Sequence, residues 1–253
     1  MRNLKMLIEY EGTRYAGWQK QKNAPGIQEC LEKALGQVIQ DTVKITGAGR
    51  TDAGVHAAGQ VAHVHVQSKL PAHNILRGTN SLLPPDISIV GIEEAAPTFN
   101  ARYDARLRWY RYQILNRQGR PALYGNYFWH VPQRLNIQRI QTIAHMLQGE
   151  HDFSAFRSQL CTARRTVLTM QELSATYADN QILIDLRCRS FLHTMVRIIV
   201  GLMVEVGKGK FPLHICEEML KTGKRNPKIP TAPPRGLILM NVLYTQQEDL
   251  KNV

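Results

Sequence analysis

Short stretches of period-two hydrophobicity interleave along this chain with stretches of helical period, and that interleaving limits the fold more than any other feature. Leu4, Met6, Ile8 and Tyr10 alternate with Lys5, Leu7 and Glu9, as a partly buried strand requires. From 26 to 40, Ile27, Leu31, Ala34, Leu35 and Val38 recur at helical spacing and lay an apolar stripe on one face. Strands are predicted at 42–45 and 61–66, a helix at 72–81 that stops before Pro84 and Pro85, and strands at 87–94 and 108–116. The second half repeats the theme: a helix at 136–148, strands at 166–177 and 181–189, helices at 192–206 and 212–222, and a last strand at 237–244. Between the last two, residues 223–236 are rich in Pro, Lys and Arg and read as an irregular loop. Strands and helices in this order predict an α+β fold with an antiparallel-rich sheet rather than strict βαβ repetition.

At 253 residues the chain is long enough for two packed subdomains, and the boundary is placed near residue 100, dividing 1–102 from 103–253. The four cysteines, Cys30, Cys161, Cys188 and Cys216, are widely spaced without a C-x-x-C pair, which fits reduced thiols of a cytoplasmic protein better than a zinc site or a disulfide framework. The start, MRNLKMLIEYEG, reads as a strand and lacks the apolar core of a signal peptide. The most apolar run, Ile198 to Val204, is too short to span a bilayer, so no membrane role is expected.

Thirty-two Lys plus Arg against 20 Asp plus Glu leave a formal charge of +12, which favours a polyanionic partner, nucleic acid first. Arg102, Arg106, Arg108, Arg111, Arg117 and Arg120 are opposed only by Asp104, with Trp109, Tyr110 and Tyr112 interleaved. Such a mixture suits phosphate contact and base stacking, and equally suits a solvated strand face.

The segment Gly47-Ala-Gly-Arg-Thr-Asp-Ala-Gly-Val-His56 surrounds one arginine and one carboxylate with small residues. Glycines allow unusual backbone angles and close approach of a ligand, so Asp52 is a candidate nucleophile or base, or a turn residue capping its own backbone. Neither dinucleotide-binding nor P-loop glycine spacing is present. His63 and His65 lie on one face of a strand, with no third metal ligand at a recognisable spacing. His56 reads as a packing or hydrogen-bonding residue. Arg197 lies among Met195, Val196, Ile198, Ile199 and Val200, so its guanidinium either needs an anionic partner such as Asp52 or snorkels to the surface.

With IEYEGTRYAGWQ, GRTDAGVHAAGQV, RWYRYQI, HDFSAFR, FLHTMVRIIVG and APPRGL in one order over most of its length, the chain resembles the tRNA pseudouridine synthase A family. The resemblance implies two similar α+β subdomains with antiparallel-rich mixed sheets, flanking helices and a central basic cleft. It also implies a cofactor-free homodimer acting on uridines 38–40, on the 3′ side of the tRNA anticodon stem-loop. Carried onto this sequence, Asp52 takes the place of the essential aspartate and Tyr110 that of the tyrosine that stacks on the target base. Arg197 takes that of the arginine paired with the aspartate, and Arg50 that of the arginine that helps extrude the nucleotide. Leu168 stands where many relatives carry an arginine, with Arg164 and Arg165 just upstream, which puts in doubt local RNA contacts there.

Two rival readings follow from other classes. A tRNA-binding or tRNA-folding module without chemistry explains the charge and the aromatics, but not a carboxylate facing a polyanion. A base deaminase or methyltransferase would need H-x-E with P-C-x-x-C, or a glycine-rich cofactor loop, and neither is present.

Overall fold

The computed structural model describes residues 1–20 and 24–245. The chain divides into two compact units, Met1–Arg106 with the described residues from Ile238 onward, and Leu107–Leu237. The boundary thus falls after Arg106 rather than after Arg102, and the closing strand, read from the sequence as part of the second subdomain, belongs to the first. The cause is a pairing remote in sequence, Ile238 with His56 and Leu239 with Ala57, for which no local pattern exists.

In the first unit β1 (Arg2–Tyr10), β3 (His56–Val66), β4 (Ile87–Ala95) and β10 (Leu237–Leu243) form a path in the order β4-β1-β3-β10. The β1 pairings with β3 and β4 are antiparallel, whereas β10 runs parallel to β3. The two-residue β2 (Thr46–Gly47) pairs with β3. Leu4, Met6, Ile8 and Tyr10 are all buried, as their alternation predicts.

Helix α1 (Ile27–Ile39) buries Ile27, Leu31, Ala34 and Leu35, and Gln40, left-handed at φ 57, ends it. It packs beside α2 (Ala72–Leu82), where Gly78 permits a close approach: a Cβ there would lie 3.1 Å from Val38. No strand forms over 42–45, and at Ile45 α1 side chains take both backbone polar groups that a ladder would use. Ile45 N–H donates to Glu32 Oε1 at 2.9 Å, and Ile45 O accepts from Gln28 Nε2 at 3.1 Å.

The second unit has a similar plan. Here β5 (Leu107–Leu115), β7 (Gly149–Asp152), β8 (Val167–Ala178) and β9 (Gln181–Cys188) follow the antiparallel order β5-β9-β8-β7, and the two-residue β6 (Trp129–His130) pairs with β5. Asp179 and Asn180, both at positive φ (49° and 63°), make the two-residue turn that joins β8 to β9. Ile182, Ile184, Leu186 and Cys188 are buried while Asp185 and Arg187 are half-buried, so the alternation read from the sequence sets the face of β9.

Helices α3 (Ile137–Met146), α4 (Met195–Gly207) and α5 (Ile215–Thr222) complete this unit. Asn136 caps α3 by accepting from Arg139 N–H at 3.1 Å. All four cysteines are free. Among the described residues no helix is long and apolar enough to cross a membrane, and no cluster of three or more His, Cys, Asp or Glu could hold a metal.

Candidate active site

The Asp52 loop joins β2 to β3, and the chain between Tyr10 and Trp18 forms its bed. Trp18 N–H donates to Thr51 O at 3.1 Å, Gly54 N–H to Tyr15 O at 3.3 Å, and Gly12 N–H to His56 Nδ1 at 3.0 Å. Two glycines of the bed are required by contact. A Cβ on Gly12 would lie 2.0 Å from Val55 O, and one on Gly17, at φ +97, would lie 2.5 Å from Thr51 O and 2.9 Å from the Asp52 carbonyl carbon. The bed is anchored in turn, since Tyr15 OH donates to Asp86 Oδ1 at 2.5 Å and Glu11 N–H to Asp86 O at 2.9 Å. Burial, the largest single influence, would raise the Asp86 carboxyl, but the hydrogen bonds from Tyr15 OH and the Arg14 guanidinium outweigh it and hold the group below its ordinary value.

Asp52 opens a four-residue turn in which Val55 N–H donates to Asp52 O at 3.1 Å and Gly54 takes φ +77. The carboxylate residue is half-buried and Arg50, two residues earlier, is exposed. His56 is buried at 2% exposure and its ring accepts the Gly12 bond, so it is a hydrogen-bonding residue of the loop. His63 is buried as well, with Nδ1 accepting from Ala101 N–H at 3.1 Å. Its ring braces the segment near residue 100.

In the second unit Tyr110 lies on the inner face of β5 with Arg108, Tyr112 and Ile114. It is 6% exposed, and its ring meets Phe191 edge-on with centroids 5.1 Å apart. Arg108 is buried too and donates to Arg189 O. On the opposite face Arg111 holds Asp185 at 2.9 Å, and both Arg111 and Arg187 cover the Trp109 ring. The arginine-rich stretch is therefore not one surface. Arg108 and Arg111 serve the fold, while Arg102, Arg106, Arg117 and Arg120 are exposed.

Arg197 is the one residue of the thirteen in α4 that is not fully buried. Its Nε donates to Ala232 O at 2.8 Å, and Ala232 N–H donates back to Arg197 O at 2.9 Å. The loop read as irregular is thereby strapped to the helix, so closely that a Cβ on Gly201 would lie 1.9 Å from Pro230 O. Tyr112 OH donates to Pro233 O at 2.7 Å. Burial raises the Tyr112 phenol far above its ordinary value, against the opposing charges of Arg197 and Arg235, so it stays a donor. Thr194, left-handed at φ 67, turns the chain into α4.

A family model described as tRNA pseudouridine synthase matches residues 6–104 and 143–245, spanning both the Asp52 loop and the Arg197 helix. The chain belongs to the tRNA pseudouridine synthase A family. Its similarity to curated members runs end to end. It is 41% identical over 244 residues to tRNA pseudouridine synthase A of Thermoanaerobacter sp. (strain X514), covering 96% of this chain and 100% of the relative. The figures for the Geotalea daltonii enzyme are 42%, 96% and 100%, and for that of Anaplasma marginale (strain St. Maries) 41%, 94% and 98%. This family membership makes the chain an isomerase with the pseudouridine synthase fold.

Arg50 and Asp52 lie together on the loop of the first unit, and Arg197 lies within the second matched stretch. Tyr110 falls between the two stretches. Leu168 is half-buried in β8 opposite His151, and Arg164 and Arg165 before it are exposed. Sequence reading missed the bed residues Tyr10 and Trp18, and Gln60 of β3, whose side-chain nitrogen holds Gly49 O. The signal that could have found them is the pair Gly12 and Gly17, glycines without an obvious partner until the loop is seen against them.

Proposed function

We propose that this enzyme converts uridine to pseudouridine at positions 38–40 of tRNA, on the 3′ side of the anticodon stem-loop, with Asp52 as its catalytic carboxylate. The observation that carries the reading is the construction around Asp52. A half-buried acid is held in a turn whose backbone is bonded or packed on both sides, a degree of fixation that a solvent-facing turn residue does not need. Family membership supplies the reaction class.

The reaction breaks the bond from C1′ to N1, turns the uracil and joins C1′ to C5. C5 loses a proton and N1 gains one, so atoms and electrons balance without a redox cofactor. The target nucleotide first leaves the stack at a cost of a few kcal/mol. Stacking against Tyr110 offsets about 1–3 kcal/mol of that. Tyr110 offers little open ring in the free protein, where Phe191 meets it edge-on. Arg50, exposed next to the acid, is suited to bind phosphate and fill the vacated space. Family resemblance gives Arg197 the place of the arginine that pairs with the essential aspartate. The carboxylate then attacks C1′, attacks C6, or removes the C2′ proton to give a glycal.

Partner and setting follow from the same reading: a cytoplasmic homodimer whose exposed arginines meet tRNA phosphates. The test is to incubate the protein and its Asp52→Ala variant with unmodified tRNA transcripts, map pseudouridine nucleotide by nucleotide, and measure tRNA affinity and the mass of the assembly. Conversion at 38–40 by the parent chain, none by the variant and little change in affinity are expected. Turnover in a clean preparation of the variant refutes the role of Asp52, and binding without conversion by the parent chain favours the tRNA-binding module.

A further inference from the structure

We propose that Tyr10, Thr51 and Gln60 form a buried positioning network that sets the orientation of the Asp52 turn and so governs turnover without touching substrate. The proposal rests on Asp52 being the catalytic carboxylate. Tyr10 OH and Thr51 Oγ1 share a hydrogen bond of 2.8 Å, and Gln60 Nε2 donates to Gly49 O at 2.9 Å and reaches Tyr10 OH at 3.5 Å. The network therefore grips the loop at Gly49 and Thr51, the residues on either side of Arg50, and the second of these directly precedes Asp52. All three side chains are buried, at 4%, 7% and 0% exposure, so water does not substitute for a missing partner.

The arrangement has a direction. A Gln side-chain nitrogen can only donate, so Tyr10 oxygen accepts from Gln60 and its own phenol hydrogen is available to Thr51 Oγ1, although either hydroxyl can donate in that bond. Burial pushes the Tyr10 phenol up to about 12, which keeps that hydrogen in place at neutral pH. Gln60 Oε1 is left without a hydrogen-bond partner, a cost tolerated in the core so that its nitrogen can hold the Gly49 carbonyl.

The strand pairing is irregular at the same place. The β1–β3 register shifts between Ile8 and Tyr10, and the β1–β4 register shifts between Leu7 and Ile8. Such irregularities re-aim a side chain at the end of a strand. In the β1–β3 pair the extra residue lies on β3, directly before Gln60, while Tyr10 keeps the inward face set by the β1 alternation. Thr51 is in addition held by its carbonyl, which accepts from Trp18 N–H at 3.1 Å. Loss of either hydroxyl leaves the loop attached but free to shift, and a displacement of about 1 Å at a reacting group is enough to cost up to about a hundredfold in rate.

The experiment compares Tyr10→Phe, Thr51→Val and Thr51→Ser with the parent chain and Asp52→Ala, reading single-turnover rate at saturating tRNA, KM and thermal midpoint. Expected are a rate lowered about tenfold or more in Tyr10→Phe and Thr51→Val at unchanged KM, and recovery in Thr51→Ser, which restores the hydroxyl. Parent-like rates in Tyr10→Phe and Thr51→Val beside an inactive Asp52→Ala overturn the network and leave the role of Asp52 standing. Turnover in Asp52→Ala removes the reading beneath the proposal, and the proposal with it. If Tyr10→Phe does not fold, the Thr51 pair decides: equal losses in Val and Ser that follow the thermal midpoint mean packing alone and overturn it.

Discussion

Arg197 and Ala232 exchange two hydrogen bonds, Nε to carbonyl at 2.8 Å and N–H back to carbonyl at 2.9 Å, so the arginine proposed to serve Asp52 is also the residue that ties down the APPRGL loop. A planar guanidinium can spend Nε on the loop and keep the geometry of its other nitrogens, whereas a lysine ammonium has no such fork. Arg197→Lys is therefore expected to lose at least about tenfold in turnover while keeping the positive charge. Steady-state kinetics with a parallel urea titration checks this. Parent-like kcat in Arg197→Lys would show that charge alone is sufficient.

Gly12 and Gly17 carry the fit between the bed and the Asp52 loop. Gly12→Ala places a methyl 2.0 Å from Val55 O, and Gly17→Ala adds a disfavoured φ of +97 to a 2.5 Å contact with Thr51 O. Each is expected to destabilise by more than about 1 kcal/mol and to lower activity, whereas Gly119→Ala, with nothing within 4 Å, should do neither. Differential scanning calorimetry on the three variants decides. Equal midpoints would mean that the bed yields freely.

Charge alone does not assign the arginines. Arg117 and Arg120 are exposed, while Arg111 is bonded to Asp185 and stacked on Trp109. Neutralising Arg117 and Arg120 together should weaken tRNA binding and reduce the salt slope by about 0.7–0.9 per lost phosphate contact. Arg111→Gln should instead lower stability and leave the slope alone. Filter binding across a salt series measures both, and an unchanged slope in the double variant would remove that stretch from the tRNA surface.

Burial pushes the His63 imidazole below its usual 6.5, with His65 acting in the same direction and Asp104 opposing. Because the folded value is lower than the unfolded one, acidification protonates the unfolded chain first, and stability falls as pH drops from about 6.5 toward the folded value. His63→Gln, which does not titrate, should show a flatter dependence of the urea midpoint between about pH 7 and pH 5. A slope equal to that of the parent chain would place the sensitivity elsewhere.

How much could be read in advance varies with the reach of the interaction. Alternation placed Leu4, Met6, Ile8 and Tyr10 inward and split β9 into a buried and a polar face, since side-chain direction in a strand is a local property. The stretch 42–45 has strand composition yet forms none, and both backbone polar groups of Ile45 are claimed by Glu32 and Gln28, on a helix already passed. Arg108 and Arg111 look alike in the sequence, and their fates differ because Arg189, just past the end of β9, and Asp185 within it, both more than seventy residues later by number, arrive beside them.

The order of residues by itself determined the α+β class, the family, and Asp52, Arg50 and Arg197 as the side chains worth watching, because periodicity and short motifs are encoded over a few neighbouring positions. Tertiary structure alone decided that the last strand joins the first unit through His56 and Ala57, that the segment from Tyr10 to Trp18 is the support of the Asp52 turn, and that Arg197 is bonded to Ala232. Those outcomes depend on groups brought together across long loops, and a backbone carbonyl that accepts a bond leaves no trace in the identity of its side chain.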